Sequence, residues 1–177
     1  MKKQIMLFTT LASFFSWEAY AGNTYVGGSL SMQRISATSS QYTGYRPGLF
    51  IGYGQEYPDC YYLGGEFLGS MTGATSDSYV LRDNSLRMAP VYSLSLIPGM
   101  LITEDTMGFL RLGIGVGKLK ASARWLTGYV LGAGVDVPLS PSWDIRFEYD
   151  YTLYNHIGIG NPQSHELMLS LKYVYAV

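Results

Sequence analysis

Trp143-Asp144-Ile145-Arg146-Phe147-Glu148-Tyr149-Asp150-Tyr151-Thr152-Leu153-Tyr154 sorts its side chains at almost every step. Trp143, Ile145, Phe147, Tyr149, Tyr151 and Leu153 form one stripe; Asp144, Arg146, Glu148, Asp150, Thr152 and Tyr154 form the other. Side chains of a strand change face at each residue, so the pattern specifies a strand between two unlike surroundings and rules out a helix. Alternation alone does not say which face looks inward. A soluble cup with a greasy interior and a membrane barrel with a polar interior share it.

Seven further segments extend the pattern, giving eight strands at about 24–34, 43–54, 60–70, 85–102, 106–118, 124–137, 143–154 and 165–175. The connections alternate in length. Those at 54–59, 103–105 and 138–142 are short, polar or proline-bearing, as tight turns require; those at 35–42, 71–84 and 155–164 are longer and rich in Ser, Thr, Gly and Asn. The segment 118–123 is short but basic. Long and short connections thus fall on opposite ends of an up-and-down barrel.

Each strand then carries one stripe without charge, such as Tyr45, Pro47, Leu49, Ile51 and Tyr53, or Leu167, Leu169, Leu171, Tyr173 and Tyr175. The opposite stripes hold Arg46, Glu66, Arg87, Arg111, Asp136, Arg146, Glu148, Asp150, Glu166 and Lys172, together with glycines such as Gly48, Gly52, Gly113, Gly132 and Gly134. Volume decides between the faces. An eight-stranded barrel has an interior just wide enough to be filled by side chains, and it would be overfilled by every Tyr, Trp, Leu and Ile of the uncharged stripes. The glycine-bearing charged stripe fits, with cations opposite carboxylates as a paired plug. The expected fold is all-β, an eight-stranded antiparallel up-and-down transmembrane β-barrel.

Composition agrees with a lipid-facing wall. Charged residues are 14% of the chain and aromatics 15%, with 16 tyrosines, whereas soluble domains average about 25% charged. Tyr53, Tyr61, Trp143, Tyr173 and Tyr175 fall at the end with tight turns and Tyr45, Trp125 and Tyr151 near the other, as two aromatic girdles would. The formal net charge of −1 and the lack of a long basic tract give no reason to expect a nucleic-acid partner. Past the amino terminus there is no apolar run of about twenty residues to cross as a helix.

Residues 1–21 read as a secretion signal, with Lys2 and Lys3, an apolar stretch from Ile5 to Phe15 and the small-x-small site Ala19-Tyr20-Ala21. Cleavage would leave residues 22–177 as one barrel domain. Cys60, the single cysteine, is expected to be a small buried or turn residue.

The stretch from Gly132 to Tyr151, a glycine-rich strand, the turn Pro138-Leu139-Ser140-Pro141-Ser142, an aromatic and Phe147-Glu148-Tyr149-Asp150-Tyr151, resembles the penultimate hairpin of the small OmpA/OmpX-like and opacity-type outer-membrane β-barrel proteins. Leu167 to Tyr175 is similar to their closing strand. The likeness covers the mature chain in layout and is specific from about Gly128 onward. It implies a bacterial outer-membrane location among outer-membrane lipid and lipopolysaccharide, delivery by the barrel-assembly machinery, and loops that meet a host or surface ligand. The chain departs from the family pattern by running past Tyr175 through Ala176 to Val177, where members usually end on an aromatic. No peptidoglycan-binding domain follows the closing strand, so cell-wall anchoring is not expected.

Catalytic, cofactor and metal sites are not expected. Ser164, His165 and Glu166 are adjacent, and neighbours on a strand point to opposite faces, so they read as loop residues rather than a triad. His156 and His165 flank one loop and make at most half a metal site. Lys118, Lys120 and Arg124, with Arg82 nearby, are candidates for lipopolysaccharide phosphates. Two rivals to a surface-interaction role are a lipid A-modifying enzyme, disfavoured because the lipid-facing stripes before the last loop lack a His-x-Ser pair, and a soluble periplasmic lipocalin-like binder.

Overall fold

The computed structural model describes residues 22–37, 40–71, 88–103, 105–119, 125–155 and 161–175. Eight strands follow in order: β1 (Asn23–Ala37), β2 (Ser40–Tyr57), β3 (Tyr61–Ser70), β4 (Met88–Leu101), β5 (Met107–Leu119), β6 (Trp125–Ser140), β7 (Trp143–Tyr154) and β8 (Gln163–Tyr175). Each pairs antiparallel with its sequence neighbours, and β8 returns to β1 to close the barrel. Closure removes both sheet edges, so backbone groups in the wall are bonded within it, as a hydrocarbon surrounding demands.

Turn chemistry sets the ends. Pro58 opens a 3-10 turn, Pro58–Cys60, and Cys60 leaves it at a φ of 67° with its thiol exposed. It is therefore a turn residue and not a buried one. Between β6 and β7 the register slips from Pro138 opposite Asp144 to Ser140 opposite Trp143. Pro138 brings no N–H to the ladder, and a bulge there ends regular pairing.

Three expected connections are shorter than their sequence suggests. Within 35–42, β1 and β2 stay in register through Ile35 opposite Tyr42 and Ala37 opposite Ser40. Between Ile35 and Tyr42 the sequence is mostly Ser, Thr and Gln, so the hydrophobic alternation that marks a strand fades where pairing continues. Strand β8 begins at Gln163, with the Tyr154 N–H donating to the Pro162 carbonyl at 3.0 Å. Ser164 and His165 are therefore strand residues. Strand β6 extends past 137 to Ser140. The connection expected at 71–84 lies mostly outside the described residues.

Charged and small side chains face the lumen, and large apolar ones face out. Along β7, Arg146, Glu148 and Asp150 are buried while Phe147 and Tyr149 are exposed. Leu49 is 72% exposed, Tyr129 69% and Leu96 59%. Such a continuous apolar belt far exceeds the few hundred Å² that soluble monomers leave to water. Acyl chains are the medium that suits it.

The lumen also takes rings that strand alternation did not reveal. Tyr25, Phe50, Leu68 and Met168 form one inner apolar cluster, and Ile97, Met107 and Phe109 another. Glycines make the room. A Cβ on Gly52 would lie 2.2 Å from the Tyr25 ring, and one on Gly134 would lie 2.5 Å from the Phe109 ring. Side chains this large enter a narrow barrel only where the opposite strand has none.

Candidate functional site

Five strands meet in the lumen through one connected set of ionised groups, and a separate ion pair brings in a sixth. The Arg146 guanidinium donates through Nε and Nη2 to the two Asp136 oxygens at 2.7 and 2.9 Å, and through Nη1 to Glu66 at 2.6 Å. Glu66 also accepts from Arg111 Nη2 at 2.6 Å. Arg111 in turn grips Glu148 through Nε and, at 3.0 Å, through Nη2. Asp150 lies 3.7 Å from Arg111 Nε. Lys172 joins Asp136 at 2.6 Å to Asp144 at 2.9 Å, and Arg46 pairs with Glu166 nearer the outer end. Arg87 lies outside the described residues.

Burying such charges is costly unless the ions have partners, and the forks of Arg111 and Arg146 supply them bidentately, while Arg46 meets Glu166 through Nη2 alone. Arg146 is 0% exposed, and its guanidinium carbon lies 4.5 Å from the Phe109 ring centroid, 5.4 Å from Phe50 and 5.8 Å from Tyr25. Rings around a desolvated cation add attraction that water would otherwise weaken. The arrangement braces β3, β5, β6, β7 and β8 across the lumen. Most of its carboxylates are matched with cations, which is a cohesive arrangement; Asp150 is the exception, its Oδ1 3.7 Å from Arg111 Nε and without a hydrogen-bond partner.

On the outer wall, Trp143 and Tyr173 meet at 4.9 Å between centroids, and Tyr173 and Tyr175 at 4.6 Å, at the tight-turn end. Tyr53 and Tyr61 are exposed at the same end. Toward the other end Tyr92 stacks on Phe67 at 6.2 Å and on Trp125 at 6.5 Å, with Tyr45 and Tyr151 on the same wall. Lys118 is half-buried in β5 and sits opposite Trp125 of β6. Lys120, Arg124, Arg82 and His156 lie outside the described residues.

Two polar residues stand on the lipid-facing wall, Arg34, which sequence reasoning did not single out, and His165, which it read as a loop residue. Arg34 of β1 is exposed and pairs in register with His165 of β8 and Thr43 of β2. Ser164 and Glu166 turn into the lumen while His165 turns out, so the adjacent trio does not converge. The Tyr149 hydroxyl is 2.6 Å from His165 Nδ1, and the Tyr151 ring lies 5.2 Å from the imidazole. One layer below, Leu30, Met32, Phe147, Tyr149, Leu167 and Leu169 line a shallow apolar groove. The signal for Arg34 was present: it continues the Leu30-x-Met32 stripe by two residues.

The chain matches the family model described as outer membrane protein beta-barrel domain over residues 7–174. Among solved structures it is similar to Ail, the attachment invasion locus protein of Yersinia pestis. The TM-score is 0.60 at 17% identity, covering 88% of this chain and 100% of that one. Ail in complex with the heparin analogue sucrose octasulfate gives 0.60 at 19%, with the same coverage. Neisserial surface protein A, NspA, gives 0.56 at 17%, covering 86% of this chain and 97% of that one. No curated protein gives a sequence match to the chain.

Proposed function

Because the chain belongs to the outer-membrane β-barrel domain family, we propose that it is a non-enzymatic surface-interaction protein of the bacterial outer membrane, in which the lumen is a structural plug and the loops and outer rim do the work. Residues 1–21 act as a cleaved secretion signal in this reading, and the barrel-assembly machinery inserts residues 22–177. The observation that carries it is the fully enclosed Arg146, locked to carboxylates of β3 and β6. A lumen spent on cohesion leaves recognition to the exposed end, where loops usually hold it.

The partners that fit that end are anionic. Lys118 at the end of β5 is followed in sequence by Lys120 and Arg124, and Arg34 with His165 stands over an apolar groove elsewhere on the wall. Lipopolysaccharide phosphates, or a polyanionic glycan on a host or neighbouring surface, match this chemistry. Ail, a structural relative, was solved with a heparin analogue. The test is adhesion of cells bearing the wild-type chain, or one with Lys118, Lys120 and Arg124 changed to Gln, to surfaces coated with sulfated glycan. Adhesion that needs the chain but survives the triple change would overturn the basic connection as the contact. Lipid A acylation unchanged between deletion and complemented strains removes the enzymatic rival, and acylation that follows the gene would replace this proposal.

A further inference from the structure

Arg34 stands on the lipid-facing stripe of β1, exposed and without an ion-pair partner among the described residues. A guanidinium beside acyl chains is costly unless an anion meets it, and the cost falls toward the headgroup level. Its place in the wall is at that level. Arg34 lies opposite His165, and His165 opposite Tyr151, a ring of the girdle away from the tight turns. The next row inward is apolar, with Met32 between Tyr45 and Leu167.

His165 turns this lone cation into a receptor. Its Nδ1 is 2.6 Å from the Tyr149 hydroxyl, and with that hydroxyl as donor the ring proton lies on Nε2, across the ring. Directly opposite side chains start about 5 Å apart, so the Nε2–H and the guanidinium fork both reach one phosphate. Gln163, the next outward residue of β8 toward the rim, is exposed and adds an amide for sugar hydroxyls. Below the pair the wall is dented. Ala133 is the small side chain of its row, opposite Tyr149; with Leu30, Phe147 and Leu169 it lines an apolar groove of about 590 Å³, within the roughly 300–1,000 Å³ of ligand sites. A phosphate receptor at headgroup level above an apolar trough is the two-part complement of a phosphorylated, acylated lipid.

We propose that this patch holds one molecule of lipid A, the acylated anchor of lipopolysaccharide, with a sugar phosphate between Arg34 and His165 Nε2, the sugar against Gln163 and one acyl chain in the groove. The inference rests on the anionic partner proposed above and fixes its class at this patch. The test is native mass spectrometry of the barrel released from detergent micelles, with bisphosphorylated lipid A, the same lipid A dephosphorylated, and phosphatidylglycerol as probes. One lipid A per barrel is expected, retained where the other two are lost. Arg34→Gln should weaken it about tenfold or more. Ala133→Trp, which fills the groove and leaves the charges in place, should weaken it separately, and Leu96→Trp, exposed on β4 away from the groove, should leave it unchanged. Heat-dependent gel mobility reports folding; should Ala133→Trp not fold, Ala133→Leu is read in the same way. Equal retention of dephosphorylated lipid A or of phosphatidylglycerol, or wild-type retention in Arg34→Gln or in the groove variant, would overturn the proposal. Retention in Arg34→Gln, with adhesion still lost when Lys118, Lys120 and Arg124 are changed, removes this site and leaves the function proposed above standing; the reverse pattern removes that contact and leaves this site.

Discussion

Arg146→Leu strips the lumen of its most enclosed cation. Three charge-assisted hydrogen bonds disappear, two to Asp136 and one to Glu66, and three rings lose the guanidinium they surround. The two carboxylates are not wholly abandoned. Lys172 still reaches Asp136, and Arg111 still reaches Glu66. Breaking a buried pair from one side costs about 3–5 kcal/mol, and these remaining cations place the loss toward the lower figure. With a urea slope of about 2 kcal/mol/M, the unfolding midpoint should fall by about 1.5 M. The assay is urea unfolding of the barrel in lipid vesicles, followed by gel mobility of unheated samples. Arg146→Lys keeps the charge but loses the fork, so it should fall between wild type and Arg146→Leu. Adding Asp136→Asn to Arg146→Leu should cost less than the separate losses summed, because the two share one interaction. A midpoint for Arg146→Leu within about 0.3 M of wild type would refute the reasoning, since that corresponds to well under 1 kcal/mol.

Other outcomes follow from the same packing. A Cβ on Gly132 would lie 1.9 Å from Asp150 Oδ1, while one on Gly65 meets nothing within 4 Å; Gly132→Ala should therefore destabilise by about 1–3 kcal/mol in urea unfolding, and Gly65→Ala should change the midpoint little. On the outer wall Leu131→Arg, near the middle of β6, should cost about 2–4 kcal/mol, and Leu139→Arg at its tight-turn end about 0–1 kcal/mol, read in the same vesicle assay. Arg34→Gln should reduce the lipopolysaccharide that stays with the purified barrel, and the loss should be larger at low salt than at high; phosphate analysis of the washed protein measures it.

Much of this barrel was legible because its two surroundings differ so strongly. Between Trp143 and Tyr154 lipid on one side and paired ions on the other force strict alternation, and the strand occupies the expected residues. Legibility fades where that contrast does. Past Ile35 the sequence turns to Ser, Thr and Gln, so a continuing ladder reads as a loop. His165 sits between Ser164 and Glu166 at the start of β8, where all neighbours are polar, and its exposure beside Arg34 shows which way it faces. The inner rings depend on contacts between distant segments. Tyr25 enters the lumen because Gly52 lies across from it in the barrel wall, and Phe109 because of Gly134. A single strand's pattern carries no word of its neighbour's missing side chain.

Spin labels placed singly at 129 to 134 of β6, with Cys60→Ser as background, address the orientation of the wall most directly. Oxygen, which concentrates in acyl chains, should collide most with labels at 129, 131 and 133, where Tyr129, Leu131 and Ala133 are exposed, and least at 130, 132 and 134. Maxima at 130, 132 and 134, or no two-residue period at all, would contradict the account.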